Sequence, residues 1–464
     1  MDEIAMSQTD AILNKTHLRG VEASLFVIKR AREGKFLSEV IREIGRDMPV
    51  KELSLCSSLA YAAIRRRSLW VNIYESFIHT KRDTNPSLPP LVLDCLLIGT
   101  AGLLELKHFV GGVLVNALLE FMKSKGAAKY VSLVNAVLHR VGEVGAEACE
   151  KLRRSHKIEE RAMWAGIPEW SLPAWKKGWN NEELNEIFDQ SRVAPCSSLR
   201  TAPGERDEIL SELRGAGIEA VPSDLFSDSI RLSSTVLPTL VPGFSSGRVT
   251  VQTESSMIAA DLAREFWKSA KNSRRLVLDM CSGRGVKAGQ IARSLPDADI
   301  ECWEISRARQ RAAERELKRL NLIDEGRITL KAGDALKLYP PRAPSLVFLD
   351  APCSGSGTWN RKPESKWKLD WPALDKICAT QRSLLIKALN IAATGGIIIY
   401  VTCSLLRQEN ENVVADSLAA TPGCVTLGVP WSDFPTREGR PWGTYIKPTL
   451  PWLDGFYAAV ILKR

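Results

Sequence analysis

Five short apolar runs, spaced along the C-terminal half of the chain and mostly separated by helical stretches, constrain its fold more tightly than any other feature. They are Leu276–Met280, Asp299–Trp303, Ile328–Lys331, Ser345–Asp350 and Gly396–Thr402. Each is too short for a stable helix and reads as a buried strand. Helices are predicted over Val286–Ser294, Arg307–Leu320 and Trp371–Ala393. Alternating strands and helices of this kind predict an α/β fold with a doubly wound, mainly parallel sheet. Ligands of such sheets sit beyond the carboxyl ends of the strands, so the residues that follow each run carry the functional argument.

The rest of the chain has a different texture. From about residue 18 to 155, apolar positions recur at helical spacing, as in Leu53-Leu55-Leu59-Ala63 and Val113-Leu114-Ala117-Leu118-Phe121. The connectors are marked by Asn85-Pro86, Pro89-Pro90 and Gly111-Gly112. The run Arg65-Arg66-Arg67 is expected on a solvated helix face, with phosphate contact as the alternative. Trp164, Trp170, Trp175 and Trp179, with Pro168 and Pro173, predict a joint between domains. From Ser197 to about Phe244, short β runs around a helix predict a small α/β module. The expected division is a helical domain over 1–155, a linker with the small module over 156–245, and a catalytic domain over 246–464. Three domains agree with a length prior of roughly 150 residues each.

Composition excludes several classes without choosing among the rest. The net charge of +9 suits a polyanionic partner but also an unspecialised basic protein. The opening MDEIAMSQTD lacks the apolar core of a secretory signal. The most apolar stretch, Leu88–Phe121, is broken by Asp94, Glu105, Lys107 and His108, so no membrane span is expected. Ten cysteines are scattered with no CxxC, which argues against a disulfide scaffold and a thiolate zinc site. A soluble cytoplasmic chain with no metal is expected. All five histidines, His17, His79, His108, His139 and His156, precede the sheet. A site built from strand ends therefore cannot be a Ser-His-Asp or Cys-His hydrolase, and its proton chemistry falls to carboxylates, lysine, tyrosine or water.

The first strand runs into Cys281-Ser282-Gly283-Arg284-Gly285-Val286-Lys287. Gly283 and Gly285 let the backbone approach a nucleotide-like ligand as the chain turns into a helix. The second strand ends at Glu304, 25 residues after Asp279, where a carboxylate can accept both hydroxyls of a ribose. The third ends near Asp334, within reach of an adenine edge. A strand-end Asp is also an ordinary helix cap, but three carboxylates in register with a glycine turn favour a nucleoside cofactor. The fourth strand ends Asp350-Ala351-Pro352-Cys353-Ser354-Gly355, and the fifth ends Thr402-Cys403-Ser404, followed by Glu409-Asn410-Glu411-Asn412. A single buried cysteine is normally an inert small hydrophobe. Two at neighbouring strand ends, each followed by Ser and joined by Asp350, predict one reactive crevice.

These two signatures resemble the S-adenosylmethionine-dependent RNA cytosine-5 methyltransferases of the Sun/Fmu, RsmB/NOP type. Val251–Ser256, Arg361-Lys362-Pro363-Glu364 and Asp454-Gly455-Phe456-Tyr457 stand in the family's flanking places, and Val134–Arg140 closes a region similar to a NusB-like domain. The resemblance implies a Rossmann-like class I methyltransferase sheet preceded by an all-α NusB-like RNA-binding domain and the small α/β module. It implies S-adenosyl-L-methionine as cofactor, RNA as partner (16S rRNA above all) and a monomer. Cofactor contacts are implied for Cys281, Ser282, Gly283, Arg284, Gly285, Val286, Lys287, Glu304, Arg309, Asp334 and Asp350. Cys403 is implied as the nucleophile that adds to cytosine C6, and Cys353 as the group that assists breakdown of the adduct. DNA enzymes use the Pro-Cys cysteine as nucleophile instead, so the presence of both signatures points to RNA. Asp350 is implied at the N3/N4 edge, and Lys287 beside the thiol or the ribose-phosphate. A free thiol is only a few per cent ionised at neutral pH, so Cys403 needs such help. A tRNA or 23S rRNA substrate, or a non-catalytic assembly factor with a degenerate cofactor turn, are the alternatives. Several positions depart from the family pattern, Ala288 in the cofactor turn among them. Arg284 replaces Pro, Val286 replaces Gly, Glu254 replaces Asp and Tyr457 replaces Phe. If the Val286 place needs positive φ or close approach to the methionine carboxylate, strain of roughly 1–3 kcal/mol is expected there, offset if Arg284 pairs with that carboxylate.

Overall fold

A computed structural model describes residues 19–78, 88–106, 111–233, 236–269, 275–323, 326–431, 434–439, 441–448 and 450–464. The opening decapeptide, His17, His79, His108 and the Asn85-Pro86 connector lie outside the described residues. The chain divides into two compact units. The first gathers residues up to Pro173 with Asn180–Arg192 and Trp359–Leu369, and the second gathers Ala174–Trp179, Val193–Thr358 and Asp370–Arg464.

The first unit is built from helices, among them Val50–Arg65, Arg67–Glu75, Pro90–Glu105, Gly111–Ser124 and Val131–Arg153. Pro90–Glu105 is apolar on most of its circumference, and Val92 and the run from Asp94 to Gly102 are buried, as in a central helix. The arginine run departs from the expected solvated face. Arg66 leaves helical geometry (φ −122°, ψ 35°), which ends one helix and begins the next. Arg65 and Arg66 are buried, with guanidinium nitrogens 3.9 and 3.7 Å from Glu105. Arg66 also lies over the rings of Trp70 and Trp164, at 4.8 and 5.3 Å. A guanidinium is weakly hydrated and stacks on aromatic faces, so this cage compensates for its lost water.

The segment Trp359–Leu369 caps the same helix. Lys366 is fully buried and donates to the Arg65 carbonyl (2.7 Å), and the Trp367 indole donates to the Ile64 carbonyl (2.8 Å). These carbonyls end the helix Val50–Arg65, where intrahelical donors run out.

The second unit holds two sheets. β1 (Ser197–Thr201), β2 (Ala220–Pro222), β3 (Ser229–Leu232) and β4 (Val249–Val251) form an antiparallel sheet in the order β2-β3-β1-β4. Ile209, Leu210 and Leu213 of the helix Arg206–Gly215 cover it, packed on Leu199 and Ile230.

The larger sheet contains β5 (Leu276–Asp279), β6 (Asp299–Glu304), β7 (Ile328–Ala332), β8 (Leu346–Asp350), β9 (Ile397–Thr402), β10 (Cys424–Leu427), β11 (Thr436–Glu438), β12 (Thr444–Ile446) and β13 (Phe456–Lys463). Strands β7-β6-β5-β8-β9 are parallel and in that order. β13 runs antiparallel beside β9, with β10 and β12 on its far edge. Val277, Ile300, Phe348, Ile399 and Val460 point into a core shared with Ile258, Leu262, Ile291 and Leu317 of the covering helices. The chain leaves β5 through the helix Val286–Ser294 toward β6 and leaves β8 through Trp371–Ile391 toward β9. The strand order therefore reverses between β5 and β8, where such sheets bind their ligands.

Candidate active site

The turn after β5 is a left-handed backbone cradle. The Ser282 amide and hydroxyl both donate to the Trp303 carbonyl, at 2.9 and 3.2 Å. Gly283 has φ +58°, its N–H donates to Glu304 Oε2 (3.1 Å), and a Cβ placed there would meet nothing within 4 Å. Gly285 has φ +79° and comes so close to Ala313 that a Cβ would sit 3.0 Å from the Ala313 methyl carbon. Both positions are ones that L side chains rarely tolerate. Val286 opens the helix Val286–Ser294 without positive φ, so no backbone strain arises there. Arg284 is exposed at the turn, and Cys281 is half-buried with its thiol pushed up by burial and then by Asp279, Asp350 and Glu304.

At the end of β6, buried Glu304 accepts from the Ser306 amide (2.8 Å) and pairs with Arg309 (2.7 Å), so Gly283, Glu304 and Arg309 form one chain of contacts. Asp334 lies just past β7 and accepts from the Leu336 amide (3.0 Å), while Gly333 donates to the Glu304 carbonyl (3.0 Å).

Asp279, at the end of β5, is one of the three strand-end carboxylates in register, and the sequence assigns it no contact of its own because a strand-end Asp is also an ordinary cap. It is 1% exposed, and neither carboxylate oxygen has a hydrogen bond of good geometry. Burial pushes it up to about 7, and the charge of Asp350 adds to this, while Lys287 and the Cys281 amide oppose it. An unpartnered buried carboxylate, a glycine facing open space and a second carboxylate one strand away suit a cationic, hydroxyl-rich nucleoside. S-adenosylmethionine has that chemistry, and these residues fit it.

A pH dependence follows. The folded chain keeps the Asp279 proton that the unfolded chain releases near pH 4, so stability falls as pH rises from about 4 through about 7. Asp279→Asn should remove this dependence and make the ligand-free protein more stable than wild type at pH 8, by up to about 4 kcal/mol for roughly three pKa units. Urea unfolding at pH 5 and pH 8 measures it, and a wild-type-minus-variant difference that does not change with pH would contradict it.

The second part of the site lies past β8 and β9. Lys287 Nζ pairs with Asp350 Oδ2 at 2.7 Å and lies 5.8 Å from the Phe456 ring centroid. Burial alone would lower the Lys287 ammonium, but Asp350, Cys403 and Asp279 together outweigh it, so the lysine is held above its ordinary value. Cys353 Sγ and Cys403 Sγ are 3.2 Å apart. The hydrogen bond to Cys403, followed by burial, raises the Cys353 thiol well above its usual range. The two loops meet through Gly357, whose amide donates to the Cys403 carbonyl (3.0 Å) and whose carbonyl accepts from Gly455 (2.9 Å). A Cβ on Gly357 would lie 2.1 Å from the Gly455 carbonyl oxygen, so only glycine fits there.

The structure thus gathers the glycine turn with Glu304 and Arg309, Lys287 with Asp350, and Cys353 with Cys403. Arg284 stays exposed, and Asp334 is tied to its own turn. Besides Asp279, sequence reasoning assigned no role to Glu409, a buried carboxylate bonded to both cysteine loops. Its signal was its place six residues after Cys403 in an otherwise polar run. Among the described residues, no group of three or more His, Cys, Asp or Glu could hold a metal ion, and no helix is long and apolar enough to cross a membrane.

Strand order, glycine turn and strand-end carboxylates together define a Rossmann-like methyltransferase. Residues 267–462 match the family described as 16S rRNA methyltransferase RsmB/F, residues 167–237 the ferredoxin-like domain of RsmF/B-like methyltransferases, and residues 21–143 the NusB family. The chain is 30% identical over 341 residues to ribosomal RNA small subunit methyltransferase B of Pseudomonas putida, covering 71% of this chain and 73% of that one. It is 26% identical over 429 residues to the protein of the same name from Xanthomonas campestris, covering 89% of each. The chain belongs to the 16S rRNA methyltransferase RsmB/F family. The crystal structure of PH0851 shares the fold, with a TM-score of 0.76 over 96% of this chain and 99% of that one at 20% identity.

Proposed function

We propose that this chain transfers a methyl group from S-adenosylmethionine to C5 of a cytosine in RNA, with 16S rRNA as the substrate, through a covalent bond between Cys403 and cytosine C6. The observation that carries this reading is the pair of thiols 3.2 Å apart at the ends of adjacent parallel strands, beside the Lys287–Asp350 ion pair. The names of the relatives support rRNA of the small subunit as the substrate.

The cofactor supplies an electrophilic methyl group. Asp279, Gly283 and Glu304, with Arg309 pairing the last, are the residues to hold it. Cytosine C5 is a poor nucleophile, and thiolate addition at C6 makes it enamine-like. Lys287 favours the thiolate of Cys403 by its positive charge, and Asp350 is placed to hold a proton at N3 as charge builds there. Transfer of the C5 proton to water then restores the C5–C6 double bond and breaks the Cys403–C6 bond, and Cys353, kept protonated by its neighbour and by burial, is suited to give a proton to the departing sulfur. A base in folded RNA must leave its stack to reach this crevice, which costs a few kcal/mol.

Bisulfite sequencing of RNA from a strain lacking this gene tests the substrate. A cytosine in 16S rRNA should lose protection and regain it with the wild-type gene but not with Cys403→Ala. A lost site in tRNA or 23S rRNA would move the substrate, and no lost site in any RNA would contradict cytosine-5 chemistry.

A further inference from the structure

Glu409 closes a short turn, Arg407–Glu409, that follows β9, and its side chain is fully buried. Its Oε1 accepts from the Ser354 amide (2.8 Å) and from the Gln381 side-chain amide (3.0 Å). Its Oε2 accepts from the hydroxyls of Ser354 and Ser404. Those serines immediately follow Cys353 and Cys403. An ionised carboxylate is acceptor-only with about four lone-pair sites, and four donors meet it here.

The surrounding bonds extend the same clamp. Gln381 also donates to the Pro352 carbonyl (2.9 Å), next to Cys353. Ser356 Oγ lies 3.0 Å from Ser404 Oγ and accepts from the Leu405 amide (2.8 Å). The Glu409 carbonyl accepts from the Tyr400 hydroxyl (2.6 Å), which anchors the turn to β9. The parallel ladder ends at the pair Asp350 and Val401, with one further bond from the Ala351 amide to Val401. Beyond it, the two cysteine loops are joined by Gly357, by the Ser356 contacts, by Ser354 Oγ with Ser404 Oγ (3.3 Å) and by this carboxylate, which alone takes donors from the residue after each thiol.

We propose that Glu409 is a positioning residue: by holding the Ser354 and Ser404 turns on one carboxylate, it sets Cys353 Sγ and Cys403 Sγ close enough to act in turn on the same base. This deepens the two-cysteine reading and rests on it. A buried glutamate that merely stabilised the fold would have no reason to draw its donors from the residue after each thiol.

The test compares Glu409→Ala, Glu409→Gln and Cys353→Ala in single and multiple turnover on a 16S rRNA fragment. Displacing a reacting group by about 1 Å costs on the order of 100-fold in rate, and that loss is expected in kcat for Glu409→Ala. KM for RNA and the dissociation constant for S-adenosylmethionine should change by less than about threefold, because the lost contacts lie between the cysteine loops. Glu409→Gln keeps an acceptor for the two amides and should recover to within about tenfold of wild type. Glu409→Ala should also accumulate the RNA–protein adduct during turnover, because Cys353 is no longer in place to release it.

If Cys353→Ala traps adduct while Glu409→Ala turns over at the wild-type rate, the positioning role is overturned and the two-cysteine reading stands. Affinities that fall as far as kcat would overturn it as well, leaving only a role in stability. If Cys353→Ala traps nothing, the two-cysteine reading itself fails. Should Glu409→Ala not fold, Ser404→Ala removes one arm of the clamp and must show the same split between kcat and KM, and wild-type kinetics there would overturn the proposal.

Discussion

Cys403→Ala is expected to abolish methyl transfer, with kcat reduced on the order of 10⁴-fold or more, as for other nucleophiles that act within a unit. No other thiol can replace it without moving. Cys353 is the neighbouring sulfur, 3.2 Å away, but its thiol is raised well above its usual range by its bond to Cys403 and by burial. Cys353→Ala should behave differently. Addition and methyl transfer can proceed, but release slows, so a single turnover should approach completion while multiple turnover stalls. Rapid-quench kinetics separate the two variants. Equal losses in single turnover would contradict this division of labour.

The second large effect concerns the ion pair. Asp350→Asn should lower kcat by roughly 100- to 1,000-fold, the range for loss of a positioned proton-transfer group. It also removes the carboxylate that does most to oppose burial at Lys287, so the lysine loses the largest influence holding its proton. Less positive charge then faces Cys403. Alkylation of Cys403 by iodoacetamide at pH 7 should slow about tenfold in Lys287→Met, which corresponds to about 1.4 kcal/mol of lost electrostatic support. An unchanged alkylation rate in Lys287→Met would show that the lysine serves only the ribose-phosphate.

The catalytic half of the fold is legible because its signal is local. Strands β5, β6, β8 and β9 and the helix Val286–Ser294 follow from short apolar runs and glycine punctuation to within a residue or so. β13 was passed over, although Phe456–Leu462 is continuously apolar, because the alternation of strand and helix stops before it. The arginine run misled for a related reason. Glu105 and Trp164, which take Arg65 and Arg66 out of water, lie 40 and 98 residues further along the chain. The same distance hides the place of Trp359–Leu369, whose donors meet carbonyls about 300 residues earlier.

Within the site, the residues that were legible are those whose type is unusual at its position: two cysteines before serines and glycines at a strand end. Asp279 is legible only as one of three strand-end carboxylates and Glu409 not at all, since an Asp at a strand end and a Glu in a polar run are ordinary. Burial without a partner in the first case, and burial with four donors in the second, are what distinguish them.

The most direct measurement of the account is peptide mapping of the adduct formed by Cys353→Ala with S-adenosylmethionine and a 16S rRNA fragment. The nucleotide should be found on the peptide that carries Cys403, with a methyl group on its cytosine. An adduct on any other residue, or methylated RNA released freely without an adduct, would contradict the mechanism.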